Sequence, residues 1–77
     1  MMSYEATNHV SPELQETLDK IAGLTGDRKD EFIDLLNSEH PSISRRVEDA
    51  YSRCIWWEGC YYCQDENRKW QRVKCFM

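Results

Sequence analysis

Leu14, Leu18 and Ile21 recur at i, i+4 and i+7, the spacing of one face of an amphipathic helix. Ser11-Pro12-Glu13 before them reads as a helix start. Serine caps, proline at the first position loses no bonded N–H, and an acid sits in the turn where the helix dipole is positive. Gly23 is the expected stop, and Gly26 lies in the turn beyond. A second stripe, Phe32, Leu35 and Leu36 with Ile33 on its flank, predicts a helix that Asp27 can cap. Asn37-Ser38 weakens it, and Pro41 pushes His40 out of the helical region. A third helix is expected from Ser42, with Ile43, Val47, Ala50, Tyr51 and Cys54 on one face and Arg45, Arg46, Glu48, Asp49 and Arg53 largely outward.

Beyond Cys54 the period changes. Residues 55–63 are dense in aromatics and broken by Gly59, residues 64–68 are a polar turn, and residues 69–77 alternate loosely. In that last run Trp70 and Phe76 share one face, Val73 and Cys75 the other. Strand-like runs around a polar turn predict a β-hairpin. A competing pattern carries the third helix on through Trp57, since Ala50, Tyr51, Cys54 and Trp57 keep helical spacing. The expected fold is α+β, a small domain of about three short helices followed by a C-terminal hairpin rich in cysteine and aromatics. An all-α helical bundle is the alternative. Residues 1–10 lack periodicity and are expected to be a flexible N-terminal arm, leaving residues 11–77 as a single small globular domain. Over roughly residues 12–76 this order of helices and hairpin resembles the layout of winged helix-turn-helix domains, in layout alone.

Composition bounds the rest. A chain of 77 residues has room for one core, and at that size only about 60% of the unfolded chain's surface is buried on folding. Leu, Ile, Val and Phe fill 14 of 77 positions, a shortfall that three Trp and four Tyr offset, because each aromatic buries about 150–250 Å². A multi-domain enzyme is excluded. So is a membrane span: the longest apolar run is Cys54-Ile55-Trp56-Trp57, against the roughly 20 residues a spanning helix needs. A net charge of −4 argues against a strongly basic nucleic-acid binder. The charge is uneven. Residues 1–42 hold three basic and nine acidic side chains, a net −6, whereas residues 43–77 hold seven and five, a net +2. Residues 1–10 lack the basic start and apolar stretch of a signal peptide, so the expected location is cytoplasmic, where thiols stay reduced.

The spacing Cys54-x5-Cys60-x2-Cys63-x11-Cys75 leaves three states open. In a zinc site, Cys60 and Cys63 supply two ligands of a tetrahedron from a C-x-x-C pair, and Cys54 and Cys75 complete it as singletons. In a disulfide framework, three pairings are available. A hairpin turning at residues 65–68 then sets Cys60 across from Val73, with Cys75 a diagonal neighbour on the same face at a marginal distance for a bond. In the third state all four are small hydrophobes packed beside the aromatics. The cofactor expectation is accordingly none, or one structural zinc. Cys60-Tyr61-Tyr62-Cys63 has the form of a redox dithiol, but such motifs lie near the start of a thioredoxin-like domain and only 14 residues follow Cys63. No phosphate-binding glycine loop or nucleophile–histidine arrangement stands out, so no catalytic residue is assigned.

Trp56, Trp57, Tyr61, Tyr62, Trp70 and Phe76 put six of nine aromatics within 21 residues. Neighbours on a strand face opposite sides. One of Trp56 and Trp57, and one of Tyr61 and Tyr62, is therefore expected at the surface, where Trp and Tyr make interface hot spots. Joined to the acids, they define the expected role: a non-catalytic protein-binding inhibitor or regulator. Glu13, Glu16, Asp19, Asp27, Asp30, Glu31 and Asp34, with Trp56 and Tyr62, are the expected contact residues. They would cover a partner's nucleic-acid-binding surface, carboxylates standing where phosphates sit. In size and charge the chain is similar to the class of phage-encoded inhibitors of host defence, anti-CRISPR and anti-restriction proteins among them. The competing role is a winged-helix-like or zinc-binding regulator that binds nucleic acid itself. Ser42, Ser44, Arg45 and Arg46 would read a groove, and Arg68, Lys69, Arg72 and Lys74 would hold phosphates. Glu48 and Asp49 on that helix count against it. The expected partner is thus a protein of a nucleic-acid-binding complex. A second copy of the chain is the alternative, and no membrane is involved.

Overall fold

Ser11 caps the first helix as its sequence requires, accepting the N–H of Leu14 at 3.2 Å. The computed structural model describes residues 10–76. The expected arm thus lies outside the described residues except for Val10, which is buried. Helices α1 (Pro12–Thr25), α2 (Lys29–Glu39) and α3 (Pro41–Ala50) precede strands β1 (Tyr51–Trp57), β2 (Cys60–Asp65) and β3 (Trp70–Cys75). The fold is α+β, with the strands in one antiparallel sheet of order β1-β2-β3. Among the described residues no helix is long and apolar enough to cross a membrane.

Helix boundaries follow local chemistry, with departures from expectation: Arg28 and not Asp27 stands at the N-cap of α2, and α3 begins at Pro41. α1 runs through Gly23 and stops at Gly26, whose φ of 82° reverses the chain while its N–H bonds the carbonyl of Ala22. α2 and α3 meet at His40, held extended (φ −138°, ψ 71°) by the following Pro41. Ser44 Oγ donates to Asn37 Oδ1 at 2.7 Å and ties the two helices together. α3 ends at Ala50 and does not continue to Cys54 or Trp57. The run Tyr51–Trp57 is rich in aromatic and β-branched side chains, which favour a pleated surface, and it finds a strand partner in β2. Its helical spacing is coincidental.

The expected two-stranded hairpin is a three-stranded meander, because residues 55–63 contain a turn of their own. Glu58 and Gly59 take φ of 50° and 84° between the paired Trp57 and Cys60. Positive φ at both central residues is what a two-residue hairpin turn needs to match strand twist. At the second turn, Asp65 Oδ1 accepts the N–H groups of Asn67 (2.9 Å) and Lys69 (3.0 Å).

Helices cover both faces of the sheet. On one, Leu18 and Ala22 of α1 pack with Ile55, Cys60, Tyr62 and Trp70. On the other, Phe32, Leu36 and Val47 of α2 and α3 pack with Cys54, Tyr61 and Cys63. The central strand is therefore buried from Cys60 through Gln64 without alternation. The chain passes from one face to the other across the open edge of β1. There the N–H of Arg28 bonds the carbonyl of Cys54 (2.7 Å), and Asp27 Oδ1 accepts the N–H of Cys54 (3.1 Å). The opposite edge is closed at Trp70 by the side chain of Gln15. Both edges are thus occupied at one point each, which limits pairing with other chains. A sheet sandwiched in this way carries no free wing, and the winged-helix layout does not extend to the packing.

Candidate docking surface

The acids expected to form one face are divided by the sheet. Glu13, Glu16 and Asp19 lie on α1, which packs on one face of the sheet, and Asp30, Glu31 and Asp34 on α2, which packs on the other. Three of the seven, Asp19, Asp27 and Glu31, are engaged in holding the fold. Asp19 Oδ1 accepts the indole N–H of the buried Trp70 at 2.7 Å. Asp27 Oδ1 accepts both Lys29 N–H (2.8 Å) and Cys54 N–H. Glu13, Glu16, Asp30 and Asp34 are exposed.

α2 joins its acids to the aromatics. Successive residues turn by about 100° around a helix, so passing outward from the buried Phe32 the surface of α2 presents Leu35, Glu31, Asp34 and Asp30 in turn. The ring of Phe32 stacks on Tyr61 (centroids 4.3 Å apart, planes 8° apart). Trp56 leans on Tyr61 at 4.8 Å, and Phe76 meets Tyr61 edge-on at 5.9 Å. Trp56 and Phe76, both 39% exposed, form the outer ledge of this four-ring cluster, and Leu35 is 45% exposed. Lys74 Nζ stands 5.9 Å from the Phe76 centroid.

Trp56 is at the surface as expected. Tyr62 is not: it is 3% exposed and packs in the α1-side cluster. The alternation argument fails for Tyr61 and Tyr62 because β2 is central and both of its faces are covered. Phe76, not assigned a contact role from sequence, belongs to the ledge, and Leu35 is exposed on α2, the helix that carries Phe32. An aromatic side chain directly after Cys75 is the one sequence signal that pointed to Phe76.

Glu31 ties the acidic side of α2 to the rings. Its carboxylate accepts the hydroxyl of Tyr61 through Oε2 and Arg28 Nη1 through Oε1 (3.1 Å). The Tyr61 hydroxyl holds the Glu31 carboxyl below its ordinary range, against a smaller upward push from burial, with Arg28 adding to the effect. Tyr61 moves the other way, pushed up to about 12 by burial and by the Glu31 carboxylate. The phenol is thereby held neutral, the reverse of an activated tyrosine.

The four cysteines pair as Cys54–Cys63 and Cys60–Cys75. The N–H and C=O of Cys54 point out of the sheet to Asp27 and Arg28. Cys54 therefore faces Cys63 as a pair without mutual hydrogen bonds, where strands approach most closely, and the Cα atoms are 4.0 Å apart. The second pair depends on a β-bulge. Tyr62 pairs with Arg72 but Tyr61 with Lys74, leaving Val73 extra, and this step sets Cys75 directly opposite Cys60. The expected diagonal arrangement, with Val73 across from Cys60, is corrected accordingly. The tetrahedral zinc arrangement of Cys54, Cys60, Cys63 and Cys75 is not formed, because the pairs lie on opposite faces of the sheet. Among the described residues no group of three or more His, Cys, Asp or Glu is placed to hold a metal ion.

The basic residues of the competing reading are also divided. Arg46 and Arg72 line one cleft of about 230 Å³ with Tyr51 and Gln71, whereas Arg68 lines another with Asp19 and Glu66. Ser44 is buried against Asn37 and presents nothing to a groove. No family model matches the chain, and comparison with curated proteins and with solved structures found no match.

Proposed function

We propose that the chain is a non-catalytic protein-binding inhibitor or regulator whose docking surface is the outer side of α2 together with the Trp56–Phe76 ledge. The observation that carries this reading is the adjacency of two chemistries. Asp30 and Asp34 are exposed on the helix whose Phe32 and Glu31 hold Tyr61, and Tyr61 supports the half-exposed Trp56 and Phe76. An aromatic centre with a charged border is the composition of interface hot spots. The complementary partner surface is basic with an apolar recess, as on proteins that bind nucleic acid, and carboxylates of α2 would occupy phosphate positions there. The acids of α1 lie on the other side of the sheet and are outside this surface. The paired state of Tyr61 and Glu31 supports a structural role for the shifted groups over acid–base chemistry.

Location belongs to the same proposal. A cytoplasmic site of action fits a nucleic-acid-binding partner, whereas paired cysteines persist where thiols are oxidised. Alkylating free thiols in cells lysed directly into denaturant decides between them: cysteines that escape modification until a reductant is added would favour an oxidising compartment for the working form. The function itself is tested by affinity capture from the native cell with and without nuclease. A stoichiometric protein partner retained after nuclease, and lost with Trp56→Ala, is the expected result. Capture abolished by nuclease would replace this reading with direct nucleic-acid binding.

A further inference from the structure

The two disulfides differ in access and in what they hold. Cys54 and Cys63 are both 0% exposed, enclosed between β1, β2 and the α2–α3 layer. Cys60 is 9% exposed and Cys75, at the end of β3, is exposed. Past the bulge at Val73, two residue pairs hold β3 to β2: Tyr61 with Lys74 and the disulfide-bonded Cys60 with Cys75. Phe76 follows directly. Its N–H bonds the carbonyl of Gly59 (2.9 Å) and its ring closes the ledge against Tyr61, Phe32 and Trp56.

The geometry points to a thiol-operated clasp: reduction of Cys60–Cys75 by a dithiol releases Phe76 and dismantles the ledge, while Cys54–Cys63 keeps the core closed. This deepens the docking proposal and rests on it for its functional consequence. In the first step a reductant thiolate attacks Cys75 Sγ. The Cys60–Cys75 bond breaks as a mixed disulfide forms, and Cys60 leaves as a thiolate that takes up a proton. The reductant's second thiolate then attacks its own sulfur in the mixed disulfide. This closes the reductant's disulfide and expels Cys75, which is protonated in turn. Two electrons and two protons pass from the dithiol to the protein. The buried pair resists because a thiolate reaches it only after the sheet opens. Loosening is confined to the segment after the bulge, since Trp70 remains tied to α1 by Gln15 and Asp19.

The test treats the oxidised full chain with dithiothreitol, traps thiols with iodoacetamide over time and maps them by mass spectrometry. Cys60 and Cys75 should be modified at least about tenfold faster than Cys54 and Cys63. Nuclear Overhauser contacts between Phe76 and Trp56 or Tyr61 should vanish in the partly reduced species while those between Phe32 and Tyr61 persist. Simultaneous opening of both disulfides, or Phe76 contacts that survive reduction, would overturn the clasp. A Cys60→Ser/Cys75→Ser variant repeats the structural readout without reductant, and the wild-type time course stands if that variant does not fold. Partner affinity is measured last. Loss of affinity in the partly reduced form supports the link to docking. Undiminished affinity with the Phe76 contacts gone overturns the docking face and leaves the clasp intact.

Discussion

The side-chain amide of Gln15 pairs with both backbone groups of Trp70, accepting its N–H at 2.8 Å and donating to its C=O at 2.9 Å. The amide takes the place that a fourth strand would occupy at that edge of the sheet. Asp19, one helical turn on, receives the indole N–H of the same tryptophan. Three hydrogen bonds thus fix α1 to one residue of β3, and Trp70 is the largest of the fully buried side chains.

Gln15→Ala is therefore expected to lower stability by about 1–3 kcal/mol, the range for leaving part-buried polar groups unpaired. Gln15→Glu should cost more than a neutral loss of one bond, since a carboxylate cannot donate to the Trp70 carbonyl. Chemical denaturation checks both. A change below about 0.5 kcal/mol, the level of ordinary surface substitutions, would contradict the edge-closing role.

Asp27 gives a second contrast. It supports the first turn of α2 and the outward N–H of Cys54 with a single oxygen. Asp27→Ala should destabilise by about 1–3 kcal/mol through the unpaired N–H of Cys54 and the lost bond to the N–H of Lys29, whereas Asp30→Ala and Asp34→Ala should fall within about 0.5 kcal/mol of wild type. Thermal melts at matched salt make the comparison. A consequence follows for binding work: Asp27 and Glu31 are unsuitable probes of docking, because their loss disturbs the fold.

Much of the fold was legible in the sequence, and the illegible part has physical causes. The Ser11-Pro12 start, the break at His40-Pro41 and the polar turn at residues 64–68 are local signals, and each acts locally. The hairpin turn at Glu58-Gly59 was hidden because glutamate seldom takes positive φ. The register of β3 was hidden because a bulge has no sequence mark, and one extra residue changes which cysteine meets Cys60. Burial of Tyr62 depended on helices covering both faces, a tertiary fact that strand alternation cannot express. The separation of the α1 and α2 acids by the sheet is likewise a tertiary fact that a count of charges along the chain cannot express.

The Glu31–Tyr61 pair sets a pH window. Glu31 titrates below its ordinary value when folded, so its contribution is complete above the ordinary carboxylate range and is lost as pH falls through the lowered value. Tyr61 is raised from 10 to about 12, so its contribution is complete below pH 10 and is lost as pH rises toward 12. The alkaline loss is on the order of 2–3 kcal/mol. Tyr61→Phe should lower stability near neutral pH by about 1 kcal/mol and flatten the alkaline limb. Equal alkaline slopes in wild type and variant, followed by denaturant melts from pH 8 to 12, would contradict the pairing.

Intact mass reports the cysteine state. The oxidised protein should weigh less than its reduced form by four hydrogen atoms, two for each disulfide. A chelator should leave that native mass unchanged. A mass increment of one zinc ion that the chelator removes would instead support the tetrahedral cysteine site and require a different pairing of the sheet.

The most direct measurement of the docking face compares two multiple variants against the purified partner. Asp30→Asn/Asp34→Asn/Trp56→Ala removes both chemistries of the α2 side, and Glu13→Gln/Glu16→Gln removes the same charge from the α1 side. The account predicts a loss of at least about tenfold in affinity with a shallower salt dependence for the first, and a change within about twofold for the second. Equal losses in both, or a loss confined to the α1 variant, would contradict it.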